Sequence, residues 1–112
     1  MKVLMMGLML NLCVSFLAHA TAKDVFNVKV TGISVYPIIG ATHIRVDPLP
    51  DLTGLTCTSP YWLVLDNNAK AYDATLSVLI TAQTTKQNIN LGIDDLYGGA
   101  FCQIAKVDLI VN

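Results

Sequence analysis

Cys57 stands four residues ahead of an apolar, aromatic-led run in the stretch TCTSPYWLVLD, Thr56 to Asp66. A thiol at such a place has three chemical uses: a nucleophile or redox partner, a metal ligand, or half of a disulfide. The chain has three cysteines, and Cys13 falls inside an N-terminal apolar stretch that reads as a removable leader. Cys57 and Cys102 then form an even pair in an exported chain, which reads as one disulfide. They are 45 positions apart, and a loop of that size gives the bond a worth of about 4 kcal/mol on the loop-entropy view. A zinc site would have Cys57, Cys102 and His43 as its only soft ligands, with no CxxC spacing, so no metal is expected. A redox pair would also want CxxC or a basic neighbour to hold the thiolate, and neither is present.

The remaining polar residues form no catalytic set. Ser34, Ser59 and Ser77 have only His43 as a base, with no GxSxG context. Asp94-Asp95, followed by Gly98-Gly99, has the composition of a turn, with too few oxygen ligands for calcium. The same glycines lack the lysine and following helix of a phosphate loop. The expectation is a non-enzyme without a cofactor. Tyr61, Trp62 and Tyr97 are the better leads. Aromatic rings beside short polar residues such as Thr58 and Ser59 make stacking platforms for sugars. The competing reading places Tyr61 or Trp62 in the core, with the other covering the disulfide, and a single tryptophan on a central strand favours burial.

Residues 1–22 read as a signal peptide. Met1-Lys2 supplies a positive start, Val3 to Ala18 carries no charge, and Ala18-His19-Ala20 and Ala20-Thr21-Ala22 both satisfy the small-x-small cleavage rule. Cleavage after Ala20 or Ala22 is expected, and the apolar run is short for an uncleaved anchor, which needs about 20 apolar residues. Leu12 before Cys13 argues against a lipoprotein. Residues 23–112 then form one domain of 90 residues. Without Lys2, six cations face eight aspartates and no glutamate, a net charge of −2. Scattered lysines on a slightly acidic domain make nucleic acid a poor partner. No later stretch is long enough for a membrane span. The expected location is secreted or periplasmic.

The elements that must position these residues are mostly strands. Asp24–Pro37 reads as a long strand with Phe26, Val28 and Val30 on one face; the apolar phase slips at Gly32, which predicts a bulge or bend. Thr42–Val46 follows, with Ile44 and Val46 on one face and His43 and Arg45 on the other. Asp47–Pro60 is a loop, because three prolines and a glycine forbid a central strand. Tyr61–Leu65 is apolar on both faces and predicts a central strand. Asp66-Asn67-Asn68 offers capping side chains for a helix over 69–84, with Ala69, Tyr72, Leu76, Leu79, Ile80 and Gln83 on one face. Its opposite face carries Ala74, Ser77, Val78, Thr81 and Thr85 without a charge, so it either meets another protein surface, as in an oligomer, or stands as an exposed Thr/Ser/Ala face. Asn88–Ile93 alternates with Ile89, Leu91 and Ile93 inward. Cys102–Val111 is the last strand, with Ala105, Val107, Leu109 and Val111 on one face.

The order β-β-β-α-β-β predicts a mainly β domain with one helix, a small five-stranded OB-like barrel holding one disulfide. A different sheet with a packed helix is the alternative. The layout resembles the small secreted bacterial proteins related to the B subunit of subtilase cytotoxin and pertussis-like toxins. The resemblance lies in Cys57 ahead of Tyr61-Trp62-Leu63-Val64-Leu65, the helix ending in Ala82-Gln83-Thr84-Thr85-Lys86, the strand Ile89-Asn90-Leu91 and Cys102-Gln103-Ile104. It implies an OB barrel and, in toxin members, a ring of five subunits with glycan binding on the outer barrel. No glycan-contacting serine motif of the toxins maps onto a position here. The leading expectation is a non-enzymatic binding domain, oligomeric and glycan-binding. The alternative is a structural or inhibitory domain that binds a protein receptor through a sheet edge or loop.

Overall fold

A computed structural model describes residues 22–110. The leader expected over 1–22 lies outside the described residues except for Ala22, and Val111 lies outside them too. The described chain forms β1 (Ala22–Tyr36), β2 (Ala41–Asp47), β3 (Ser59–Asp66), α1 (Tyr72–Thr85), β4 (Asn88–Asp94) and β5 (Phe101–Leu109). The strands close in the order β1-β2-β3-β5-β4, a five-stranded OB-like barrel with one helix and one disulfide.

Closure depends on β1, which serves two neighbours. Its first half pairs antiparallel with β4 from Ala22 to Lys29, and its second half pairs antiparallel with β2 from Lys29 to Tyr36. Two bulges turn it. The one between Val30 and Gly32 sits where the sequence slips phase. The other, between Val25 and Val28, has no glycine; Asn27 takes the left-handed conformation at φ 57°, and its N–H donates to Asn90 Oδ1 at 3.0 Å. That bulge reverses the expectation for Phe26. Val25, Val28 and Val30 are buried, and Phe26 points outward at 65% exposure.

The barrel interior is filled by Val28 and Val30 from β1, Ile44 and Val46 from β2, Leu63 and Leu65 from β3, Ile89, Leu91 and Ile93 from β4, and Ile104 from β5. Period-2 alternation accounts for nearly all of it. In β5 the register slips opposite Gly92/Ile93, so Ile104 is buried, Ala105 is exposed, and Val107 and Leu109 take the inward phase. Val64 is also buried, at 1% exposure, across from His43 and between the inward Leu63 and Leu65. This fits a central strand between β2 and β5.

α1 packs against β1 and β5. Its buried side is Leu79 and Ala82, with Tyr72 and Leu76 partly buried. Ile80 and Gln83, expected inward, are exposed. The helix begins at Tyr72, not near Ala69, because Ala71 stands at its N-cap in the left-handed conformation with no side-chain cap. Asp66 Oδ1 instead accepts the Asn68 N–H at 3.0 Å, which serves the preceding turn. Tyr72 is held at depth by polar contacts: its hydroxyl lies 2.8 Å from Thr42 Oγ1, which also donates to Asn67 Oδ1 at 3.0 Å.

Candidate functional site: an aromatic strip around Arg45

Alternation along β2 sends Ile44 and Val46 inward, and so sends His43 and Arg45 to the outer side of the barrel. What they meet there depends on the flanking strands. Between Ser59 and Val64 the pairing of β3 with β5 is irregular, and in this stretch both Tyr61 and Trp62 lie against Arg45. The guanidinium carbon stands 3.9 Å from the Tyr61 ring centroid and 4.4 Å from that of Trp62. A flat, weakly hydrated cation against two ring faces is favourable on electrostatic grounds. The indole lies over Gly32: a Cβ placed there would meet Arg45 Cβ at 3.5 Å and the Trp62 ring at 3.7 Å, ordinary contact distances.

The rings continue in both directions. His43 is 4.7 Å from Tyr36 at the end of β1, 5.9 Å from Trp62, and 5.3 Å from Phe101 at the start of β5, measured between centroids. Tyr61 and Trp62 are 5.5 Å apart. Tyr36, His43, Phe101, Trp62 and Tyr61 thus form a strip across β1, β2, β3 and β5. Tyr36 and Tyr61 are exposed, and His43, Trp62 and Phe101 are half-buried. Burial pushes the His43 pKa below its ordinary value, so the imidazole is neutral at pH 7 and joins the strip as a ring and not as a charge.

Among the described residues Arg45 has no carboxylate partner. The two ion pairs of the described residues are Lys23–Asp51 at 3.4 Å and Lys106–Asp108 at 3.4 Å. Its Nε is buried and has no hydrogen-bond acceptor among the described residues. A cation held by rings and left without an anion can bind an acceptor brought from outside.

No protein family, curated protein or solved structure matches the chain. The site therefore rests on its own geometry.

The other residues singled out from sequence have plainer surroundings. Cys57 and Cys102 are bonded, with Cα atoms 5.3 Å apart, inside the normal range for a disulfide. Tyr97 is exposed in the β4–β5 turn and takes part in none of the ring contacts of the strip. Both carboxylates of the adjacent pair hold loops: Asp94 Oδ1 accepts from the Leu96 N–H and Gln103 Nε2, and Asp95 Oδ2 accepts from the Thr56 N–H and Oγ1. On α1, Ala74, Ser77, Thr81 and Thr85 are exposed and Val78 is half-buried. The three hydroxyls of that face donate back to carbonyls one turn earlier, Ser77 to Asp73, Thr81 to Ser77 and Thr85 to Thr81. The face thus presents carbon more than its composition suggests.

Two cavities lie away from the strip. One, of about 230 Å³, runs beside Phe26 and Pro48–Asp51; the other, of about 180 Å³, is polar and borders Lys29, Lys86 and Asn88. The sequence points to Tyr61 and Trp62 but not to Arg45, Tyr36 or Phe101, and it gives His43 no ring partners. The alternation around Ile44 gave the side on which His43 and Arg45 lie; the cross-strand register that joins them to the rings has no local signal.

Proposed function

We propose that the protein is a secreted, non-enzymatic binding domain that takes a glycan across the outer face of β1, β2 and β3. The observation that carries this reading is the run of five rings, two of them stacked on an arginine, displayed on the outside of the barrel. Ring faces stack on the C–H faces of sugars, and the OB architecture uses the corresponding strand faces for oligosaccharides and oligonucleotides. The net charge of −2 for residues 23–112 disfavours the second.

Trp62 is the only tryptophan, so its emission reports the strip directly. A panel of neutral and acidic oligosaccharides should contain members that change Trp62 emission saturably, and Tyr61→Ala should weaken them about tenfold, near 1.4 kcal/mol. A flat response across the panel, with no binding by calorimetry, overturns the glycan reading.

A second reading is a protein-binding domain, and the β1–β2 turn favours it. Val35, Tyr36, Ile38 and Ile39 are exposed there, Ile38 completely. Ring assembly through the uncharged face of α1 belongs to the same group of proposals. A native mass by light scattering tests it: a single-chain mass removes the oligomer and the toxin-like analogy with it.

A further inference from the structure

We infer that Arg45 anchors the carboxylate of an acidic sugar, an internal uronic-acid residue of a polysaccharide laid along the aromatic strip. The inference rests on the glycan reading above and deepens it.

Three features of the site lead there. Tyr61 and Trp62 stand 3.9 and 4.4 Å from the guanidinium carbon, and Arg45 is only half-buried, which leaves the terminal end of the fork for an incoming acceptor. A guanidinium held in one orientation matches a planar carboxylate through two parallel N–H···O bonds. No carboxylate of the described residues pairs with it, and the buried Nε is out of reach of one from outside, so the two terminal nitrogens carry the bonds. The group therefore arrives from another molecule.

The surroundings select among carboxylates. Beyond Trp62 the strip continues through His43 to Tyr36, rings whose faces suit C–H surfaces; a short acidic peptide held at the cation would leave them unused. A uronic acid carries both parts, a carboxylate attached to a pyranose ring. The spacing of charge matters too. Residues 23–112 carry a net −2, and the strip offers one cation, so a polymer with one charge per sugar ring suits it better than the dense charge of nucleic acid. The strip also crosses four strands on the outside of the barrel, and none of its residues lines the cavity beside Phe26 or the one beside Lys29. An open face of that kind takes an internal residue of a chain; a chain end would call for an enclosing pocket.

The test is calorimetric titration of the oxidised protein with trigalacturonate, its methyl ester, and triaspartate as a carboxylate without a sugar. Trigalacturonate should bind about tenfold or more tighter than the ester. R45K keeps the charge but loses the fork and the flat stacking surface; it should weaken trigalacturonate about tenfold and the ester by less, so that the preference for acid over ester shrinks. Equal affinity for acid and ester overturns the inference while the glycan reading stands. Triaspartate binding as well as trigalacturonate, with both lost in R45K, overturns the sugar and with it the glycan reading. No binding of trigalacturonate overturns the inference outright. Should R45K fail to fold, the acid-to-ester comparison on the unaltered protein decides alone.

Discussion

Asn27 shows how much one backbone conformation can do. It occupies φ 57° in the bulge that turns Phe26 out of the core, with its N–H held by Asn90 Oδ1. Asparagine tolerates this region and β-branched residues do not. Asn27→Val should cost about 1–2 kcal/mol in urea unfolding, while Asn27→Gly should stay within a few tenths. A second residue-scale prediction concerns acid. Hydrogen bonds from the Thr53 hydroxyl and N–H, and the charge of Lys23, lower the Asp51 pKa to about 2. A lowered folded-state pKa contributes stability that is present above the ordinary aspartate value and is lost as pH falls toward 2. Carboxyl titration by NMR should find Asp51 still ionised at pH 3, with the 48–53 loop in place. A midpoint near 4 would show that the Thr53 contacts do not form.

At the scale of elements, helix α1 is attached by few residues. Leu79 is fully buried and Ala82 beside it leaves little room, so Leu79→Ala opens a cavity between helix and barrel. The cost should be about 2–5 kcal/mol in thermal or urea unfolding. Elements differ in how openly the sequence announces them. β4 is legible because Ile89, Leu91 and Ile93 alternate without interruption. The bulge before Gly32 is legible because a glycine marks it; the one at Asn27 carries no such mark, and so Phe26 misleads. In β5 the phase change at Ala105 is hidden because Ala105, Val107 and Leu109 look like one continuous face. The sequence points to a helix start at Ala69, three residues early, because Asp66 and Asn68 look like caps and in fact close a turn. The strip is the least legible part: Arg45 meets Tyr61 and Trp62 only through the β2–β3 register and a local irregularity of β3, and neither leaves a pattern along the chain.

At the scale of the whole molecule, closure of the barrel depends on its one parallel pairing. β3 and β5 align at Ser59↔Phe101 and Val64↔Gln103 with an irregular stretch between, and the Thr58 and Ser59 N–H groups share the Ala100 carbonyl. The other four pairings are antiparallel and more regular. The Cys57–Cys102 bond crosses this seam at its beginning. Cys57→Ser with Cys102→Ser should lower stability by about 2–5 kcal/mol, measured as a drop in denaturant midpoint. An unchanged midpoint would mean that the seam holds without it.

The barrel is thus a bracelet with a covalent clasp, and the strip is mounted across the clasp: Trp62 sits on one side and Phe101 on the other. Unfastening it with a thiol should loosen the first residues of β5 before the β1–β4 half gives way, visible as early hydrogen exchange at Cys102–Ile104. The two sides of the ring run would then drift apart while most of the fold persisted. A surface assembled across a clasp should come apart before the jewel does, so reducing the two sulfurs should separate Trp62 from Phe101 while the rest of the barrel holds.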